Sequence, residues 1–208
     1  LARTLRRPYI RPVIFSEIFV VAQRSVIGGV IAVFVVVFVV FLLVTRPPGG
    51  GNPMTEVAFV NGMQPIMAQV QNPAGADLAN WRQKRAAMIC QTIPDLTVTN
   101  WVGTVDKLDT TIAGGGVISI AVMPNVDFGT APNTLLNMGS NTVISPGSPL
   151  FHTLSTLQVG DKVMFSGQLF SSQSDCAQEA SVTDSGSMQN PLFITRFTSI
   201  TPVTPGNT

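Results

Sequence analysis

Cys90 and Cys176 are the only thiols in a chain of 208 residues, so the chemistry open to them is narrow. In an oxidising compartment two cysteines most often form one disulfide; two separate buried thiols are the alternative. A metal centre needs more ligands, and the sole histidine, His152, is distant from both in sequence. His152 lies between Phe151 and Thr153, and no Gly-x-Ser-x-Gly turn supplies a nucleophile for it to serve. A surface or capping role is therefore expected. Asp106 and Asp109 could act as an acid and a base, yet their spacing on a strand puts them on opposite faces, and solvated carboxylates are expected. Gly114-Gly115-Gly116 lacks the Lys-Ser/Thr and following helix of a phosphate loop and reads as a hairpin turn. The eight methionines are scattered and offer copper no thioether cluster. No catalytic, cofactor-binding or metal-binding residue is assigned, no cofactor is expected, and the chain is not expected to be an enzyme.

The composition says where such a chain would reside. Hydrophobic residues make up 45% and charged residues 11% of the sequence, against about 25% charged in a typical soluble protein. Residues 26–44 carry no polar side chain. As a helix this run would span roughly 28 Å, about one hydrocarbon core. It is longer than the apolar core of a cleaved signal peptide, and no small-x-small cleavage site follows it. Arg24 and Arg46 bracket it, placed to snorkel to the two interfaces. The expectation is one transmembrane helix. Ser25 with Gly29 and Gly28 with Ala32 form two small-xxx-small pairs on it. These are either a close-packing face for another helix or the ordinary small-residue content of a membrane span.

Arg3, Arg6, Arg7, Arg11 and Arg24 against Glu17 give the preceding flank a net +4. From Pro47 onward ten acidic residues against six basic ones give −4. The positive-inside rule then places residues 1–25 as a basic cytoplasmic or interfacial segment. The remainder lies outside, in the periplasm of a bacterial inner membrane. Nine Arg against three Lys agree with a GC-rich bacterial genome. The sequence begins at Leu1 rather than Met, and a longer or processed N-terminus is expected. A domain of net −4 without a basic stripe is a poor nucleic-acid binder.

Beyond the span, residues 45–53 are a Pro/Gly linker that cannot continue a helix. A helical segment, 54–95, follows. In it Gln64–Gln71 reads as a short helix opening at Pro65, and Asp77 caps a second helix running to Gln91. That helix puts Leu78, Trp81, Met88 and Ile89 on one face, with the stems of Arg82 and Arg85 along its border. After Pro94 the apolar period becomes two. Strands are expected at Leu96–Asp109 (with a bulge near Asn100), Val117–Met123, Asn141–Ser145, Lys162–Phe170 and Leu192–Ile200. Ser148-Pro149 opens a short helix between the third and fourth. Residues 96–202 form this domain and 203–208 a tail. A Cys90–Cys176 bond would tie the helix before the barrel to the loop before the last strand. Closing a loop of roughly 85 residues is worth about 4 kcal/mol in the chain-entropy model.

Three strands, a helix and two strands is the element order of an OB-fold. The passage Leu154-x-x-Leu157-x-Val159-Gly160-Asp161-x-Val163-x-Phe165-x-Gly167 resembles the helix-to-fourth-strand passage of the bacterial OB-like domains grouped as tRNA-anti-like. The resemblance covers residues 96–200 and implies a membrane-anchored domain of this type; it assigns no activity. Nucleic-acid-binding OB-folds place basic and aromatic residues on the second and third strands. Val117–Met123 and Asn141–Ser145 have none. The fold class is thus mainly β: a single N-terminal transmembrane helix followed by a small OB-like barrel with flanking short helices. The expected role is a non-catalytic accessory subunit of a larger membrane complex, for instance respiratory or photosynthetic. Its partners would be the lipid bilayer and other membrane subunits, met through the span and the outer domain. A membrane-anchored ligand-binding or sensor domain, using the barrel mouth, Gly114–Gly116 and Ser171–Asn190, is the alternative. The topology is open to a direct check. A reporter active only in the periplasm, fused after Thr208, is expected to work, and a cytoplasm-only reporter to fail there.

Overall fold

A computed structural model describes residues 52–71, 77–131, 139–181 and 183–203. The basic segment 1–25, the apolar run 26–44, most of the linker and Ser25, Gly28, Gly29 and Ala32 lie outside the described residues, as does most of the tail. Among the described residues no helix is long and apolar enough to cross a membrane. Two helices come first, α1 (Met54–Val70) and α2 (Leu78–Thr92). Then follow β1 (Thr97–Thr110), β2 (Gly116–Met123), β3 (Val126–Gly129), α3 (Pro149–Leu154) and β4 (Lys162–Leu169). A two-stranded ribbon, β5 (Ser171–Ser172) and β6 (Cys176–Ala177), precedes α4 (Asp184–Gln189) and β7 (Leu192–Pro202).

Five strands close into a barrel in the order β1-β2-β3-β7-β4, with β4 returning to β1. All pairs are antiparallel except β3 with β7. The architecture is mainly β with short helices and is consistent with a small OB-like barrel. Closure depends on β1, which pairs with β4 along its first part and β2 along its second, Thr104 serving both. To do this the strand must bend. Gly103 makes the bend sterically possible: a Cβ there would lie 2.5 Å from Ile120 Cγ2 and 2.7 Å from the Ala121 carbonyl oxygen. Upstream, the β1–β4 register slips between Val98 and Trp101, where Asn100 sits at φ +56°, at the expected bulge position.

Alternation along the strands sends Val98, Trp101, Val105, Ile118, Ile120, Phe128, Val163 and Phe165 inward, all essentially inaccessible to solvent. Helix α1 supplies the plug. Its Phe59 ring lies 5.2 Å from Trp101, 5.5 Å from Phe128 and 6.0 Å from Phe193, centroid to centroid. These are favourable edge-to-face and tilted separations. The helix starts ten residues before the expected opening at Gln64, and Pro65 lies inside it. Proline removes one backbone hydrogen bond. The buried stripe Phe59, Met63, Ile66, Met67 and Val70 outweighs that loss, at about 1.5–3 kcal/mol per side chain.

The third strand is also elsewhere. β3 is Val126–Gly129; the stretch 141–145 contributes one isolated bridge, Ile144 with Gly116. Only two residues, Pro124 and Asn125, separate β2 from β3, with Asn125 at φ +62° serving the tight turn. The helix caps were legible: Asp77 accepts from the Asn80 N–H at 3.1 Å, and Ser148 from the Phe151 N–H at 3.2 Å.

Arg82 and Arg85 do not simply lie over the apolar face of α2. Arg82 makes a bidentate pair with Asp175, at 2.5 and 2.7 Å, and reaches Asp184 at 2.5 Å. Arg85 has no exposed surface. It donates to the Ser187 carbonyl at 2.6 Å, to Glu179 and to Ser187 Oγ, and lies 3.4 Å from Asp175. The Cys90–Cys176 disulfide joins the same two regions, with a Cα–Cα distance of 5.7 Å. Removing one partner of a buried pair strands the other charge. Arg85→Met should therefore lower the unfolding free energy in urea by about 3–5 kcal/mol, with part of the loss recovered in Arg85→Met/Glu179→Leu.

Candidate functional site

Among the described residues, burial and ion pairing account for Arg82, Arg85, Asp175, Glu179 and Asp184, and three further features stand out. The first is the outer face of α1. Its one charged residue, Glu56, is turned inward and 1% exposed. There it accepts the Val102 N–H at 2.8 Å and the Asn52 side-chain amide at 2.6 Å. The bulge at Asn100 interrupts the β1–β4 ladder just before Val102, and the carboxylate binds a strand N–H beside that gap. Burial pushes the Glu56 carboxyl up, while the two hydrogen bonds oppose the shift. The outward positions are Met54, Thr55, Val57, Ala58, Asn61, Gln64, Pro65, Ala68 and Gln69, with no charge among them. Met54 is 88% and Val57 44% exposed. Beside this face a cleft of about 560 Å³ runs along Thr55, Thr92, Ile93, Pro94 and Thr97.

The second surface is at the barrel mouth. A cleft of about 380 Å³ opens between the end of the β1–β2 hairpin and α3, walled by Leu108, Asp109, Gly116, Phe151, Leu154 and Leu157. Gly114, at φ +81°, makes the hairpin turn, and Ile112 projects fully exposed from its tip. His152 is exposed on α3 and the structure gives it no side-chain partner.

The third is a carboxylate pair not legible in the sequence. Asp109 lies at the cleft wall, away from the pair, and its carboxylate accepts the Thr110 N–H at 2.8 Å. Asp106 falls in the irregularity between Val105 and Lys107, where Ser119 Oγ lies 3.4 Å from Asp106 Oδ2. Its electrostatic neighbour is Asp127 on β3, which is opposite Ala121 of β2. Burial, with the Asp106 charge adding to it, pushes the Asp127 carboxyl up to about 6. Such a group can take up a proton near neutrality, and the hydroxyl placed at the pair, Ser119 Oγ, bonds to Asp106. Among the described residues no group of three or more His, Cys, Asp or Glu is placed to hold a metal ion. The pairing could have been anticipated only with the short β2–β3 hairpin in hand.

Cys90 and Cys176 are brought together; Asp106 and Asp109 are not. Comparisons with protein-family models, with curated proteins and with solved structures find no match.

Asp127 generates a pH prediction. Its folded-state value, about 6, exceeds the ordinary 3.8, so the folded protein holds a proton that the unfolded chain releases. The stabilisation is complete below pH 3.8 and is lost as pH rises through about 6. Asp127→Asn should raise the melting temperature at pH 7.5 and change it little at pH 3.5. Thermal melts at both pH values check this.

Proposed function

We propose that this chain is a non-catalytic accessory subunit of a larger bacterial membrane complex, for instance respiratory or photosynthetic. In this reading residues 26–44 anchor it in the inner membrane, and an OB-like domain of the tRNA-anti-like type stands in the periplasm. The outer face of α1 is its docking surface. One observation carries the reading: α1 buries its only charged side chain and presents an uncharged face outward. A surface helix ordinarily does the reverse, keeping charge in water and apolar residues in the core. The cores of protein interfaces are depleted in charge, and small outward residues such as Ala58 and Ala68 let a neighbour approach closely.

A second reading rests on the cleft at the barrel mouth. Its volume of about 380 Å³ falls within the range of small-molecule sites, roughly 300–1,000 Å³. It would make the domain a membrane-anchored ligand binder.

Native purification in mild detergent, with mass spectrometry of what co-migrates, identifies the complex. In a deletion strain complemented by variants, Ala58→Glu and Asn61→Glu should reduce complex yield while the melting temperature of the full chain stays unchanged. Gly29→Leu and Ala32→Leu should also reduce yield, because a close helix approach cannot absorb the added volume. His152→Ala and Asp109→Ala should leave yield and activity intact. Unchanged yield on deletion and in all four interface variants overturns the subunit reading in favour of the ligand binder.

A further inference from the structure

We propose that the Cys90–Cys176 disulfide is a redox-operated latch: its reduction by a dithiol frees the β5–β6 ribbon and opens the buried Arg85 cluster to water, while the barrel stays folded. Four observations support this. The first is access. Cys90 is exposed near the C-terminal end of α2, which puts this end of the bond at the protein surface. The second is the backbone at Cys176, held at φ +66°. A residue with a Cβ that is neither Asn nor Asp seldom adopts this left-handed conformation unless its surroundings impose it.

The third is what the latch holds shut. Asp175, the residue before Cys176, is the bidentate acceptor for Arg82 and touches Arg85; Glu179, three residues beyond, pairs with Arg85. The cluster is incompletely satisfied: Arg85 Nε and Glu179 Oε2 are buried without a hydrogen-bond partner. A buried ion cluster with unmatched polar atoms gains hydration by opening, and the bond at its edge opposes that gain. The fourth is topological. The ribbon joins Ser171 to Ala177 and Ser172 to Cys176 in a separate two-stranded sheet, outside the closed barrel ladder. The tie to the barrel comes just after the ribbon, where Glu179 bridges Phe193 at the start of β7 and the Ile194 N–H donates to the Gln178 carbonyl, so the ribbon hinges at that point.

The chemistry balances. A thiolate of the dithiol attacks Cys90 Sγ, the Cys90–Cys176 bond breaks, and Cys176 leaves as a thiolate that takes a proton. The second thiol, deprotonated, attacks the reagent's sulfur in the mixed disulfide and expels Cys90, which is likewise protonated. The dithiol becomes a cyclic disulfide, and two electrons have passed to the cysteine pair.

The experiment uses the full chain in detergent, with dithiothreitol as the probe under native conditions. Alkylation and mass spectrometry establish that both cysteines become free. Limited trypsin digestion then reads cutting after Arg82, Lys84 and Arg85, and hydrogen exchange reads the barrel strands. Reduction is expected to accelerate cutting at these three sites by about tenfold or more, with exchange in β1 and β2 unchanged. Cys90→Ser/Cys176→Ser should show the fast cutting without reductant; if that variant does not fold, the reduced native chain supplies the same readout. Three results overturn the proposal: a disulfide that resists dithiothreitol until the protein unfolds, protection at Arg82–Arg85 that survives reduction, or a loss of protection shared equally by the barrel strands, which marks a plain staple.

Discussion

A guanidinium with no access to water requires charge and hydrogen-bond acceptors from the chain around it, and Arg85 recruits them from distant stretches of sequence. Asp175 comes from the turn before β6, Glu179 from the segment after it, and the Ser187 carbonyl from α4. None of these elements belongs to the barrel. The ion pairs to Arg82 and Arg85, the Cys90–Cys176 bond and the Glu179–Phe193 bridge together hold them as a layer against α2. Arg82, one turn earlier and partly in solvent, repeats the contact to Asp175 and holds its carboxyl down to about 2. That lowering is itself a stabilisation, present above the ordinary 3.8 and lost as pH falls towards 2. Burial acts the opposite way on Glu179, raising its carboxyl while Arg85 pulls it down.

The same constraint operates in smaller form at Glu56. Closing five strands around a core this narrow requires β1 to bend, and the irregularity at Asn100 interrupts its hydrogen-bond ladder. A carboxylate carried in by α1 accepts a strand N–H beside the break, and Trp101 Nε1 is matched by Thr55 Oγ1 at 3.2 Å. Plugging the barrel with Phe59 and bonding the bulge with Glu56 therefore use one helix face. The helix is left with an outward face that has no charge to present. Packing, polar satisfaction and the proposed docking role all follow from that orientation.

Much of the fold was legible because its signals are local. The alternation of β1, β2, β4 and β7, the caps at Asp77 and Ser148, the turn at Gly114 and the bulge at Asn100 each depend on a few neighbouring residues. The third strand was not legible. Val126–Gly129 is only four residues long and gives almost no period to read, while 141–145 has the composition of a strand without a partner beyond one bridge. The first half of α1 is hidden in the sequence because Pro65 is a strong local stop signal. Five buried side chains outweighed it, and their burial is visible only once the barrel exists.

The sequence by itself determined the apolar run at 26–44, the asymmetry of charge around it, a two-cysteine inventory that admits one disulfide, and strands enough for a small barrel. These are properties of composition and short-range spacing, which need no long-range contact to be evaluated. Tertiary structure alone decided that Arg85 and Glu56 are buried rather than solvated, that Asp106 neighbours Asp127, and which face of α1 is free. Each of those outcomes depends on which side chains surround a group, and so on its desolvation and its partners. Residues more than 90 positions apart, such as Arg85 and Glu179, become neighbours only when the chain closes.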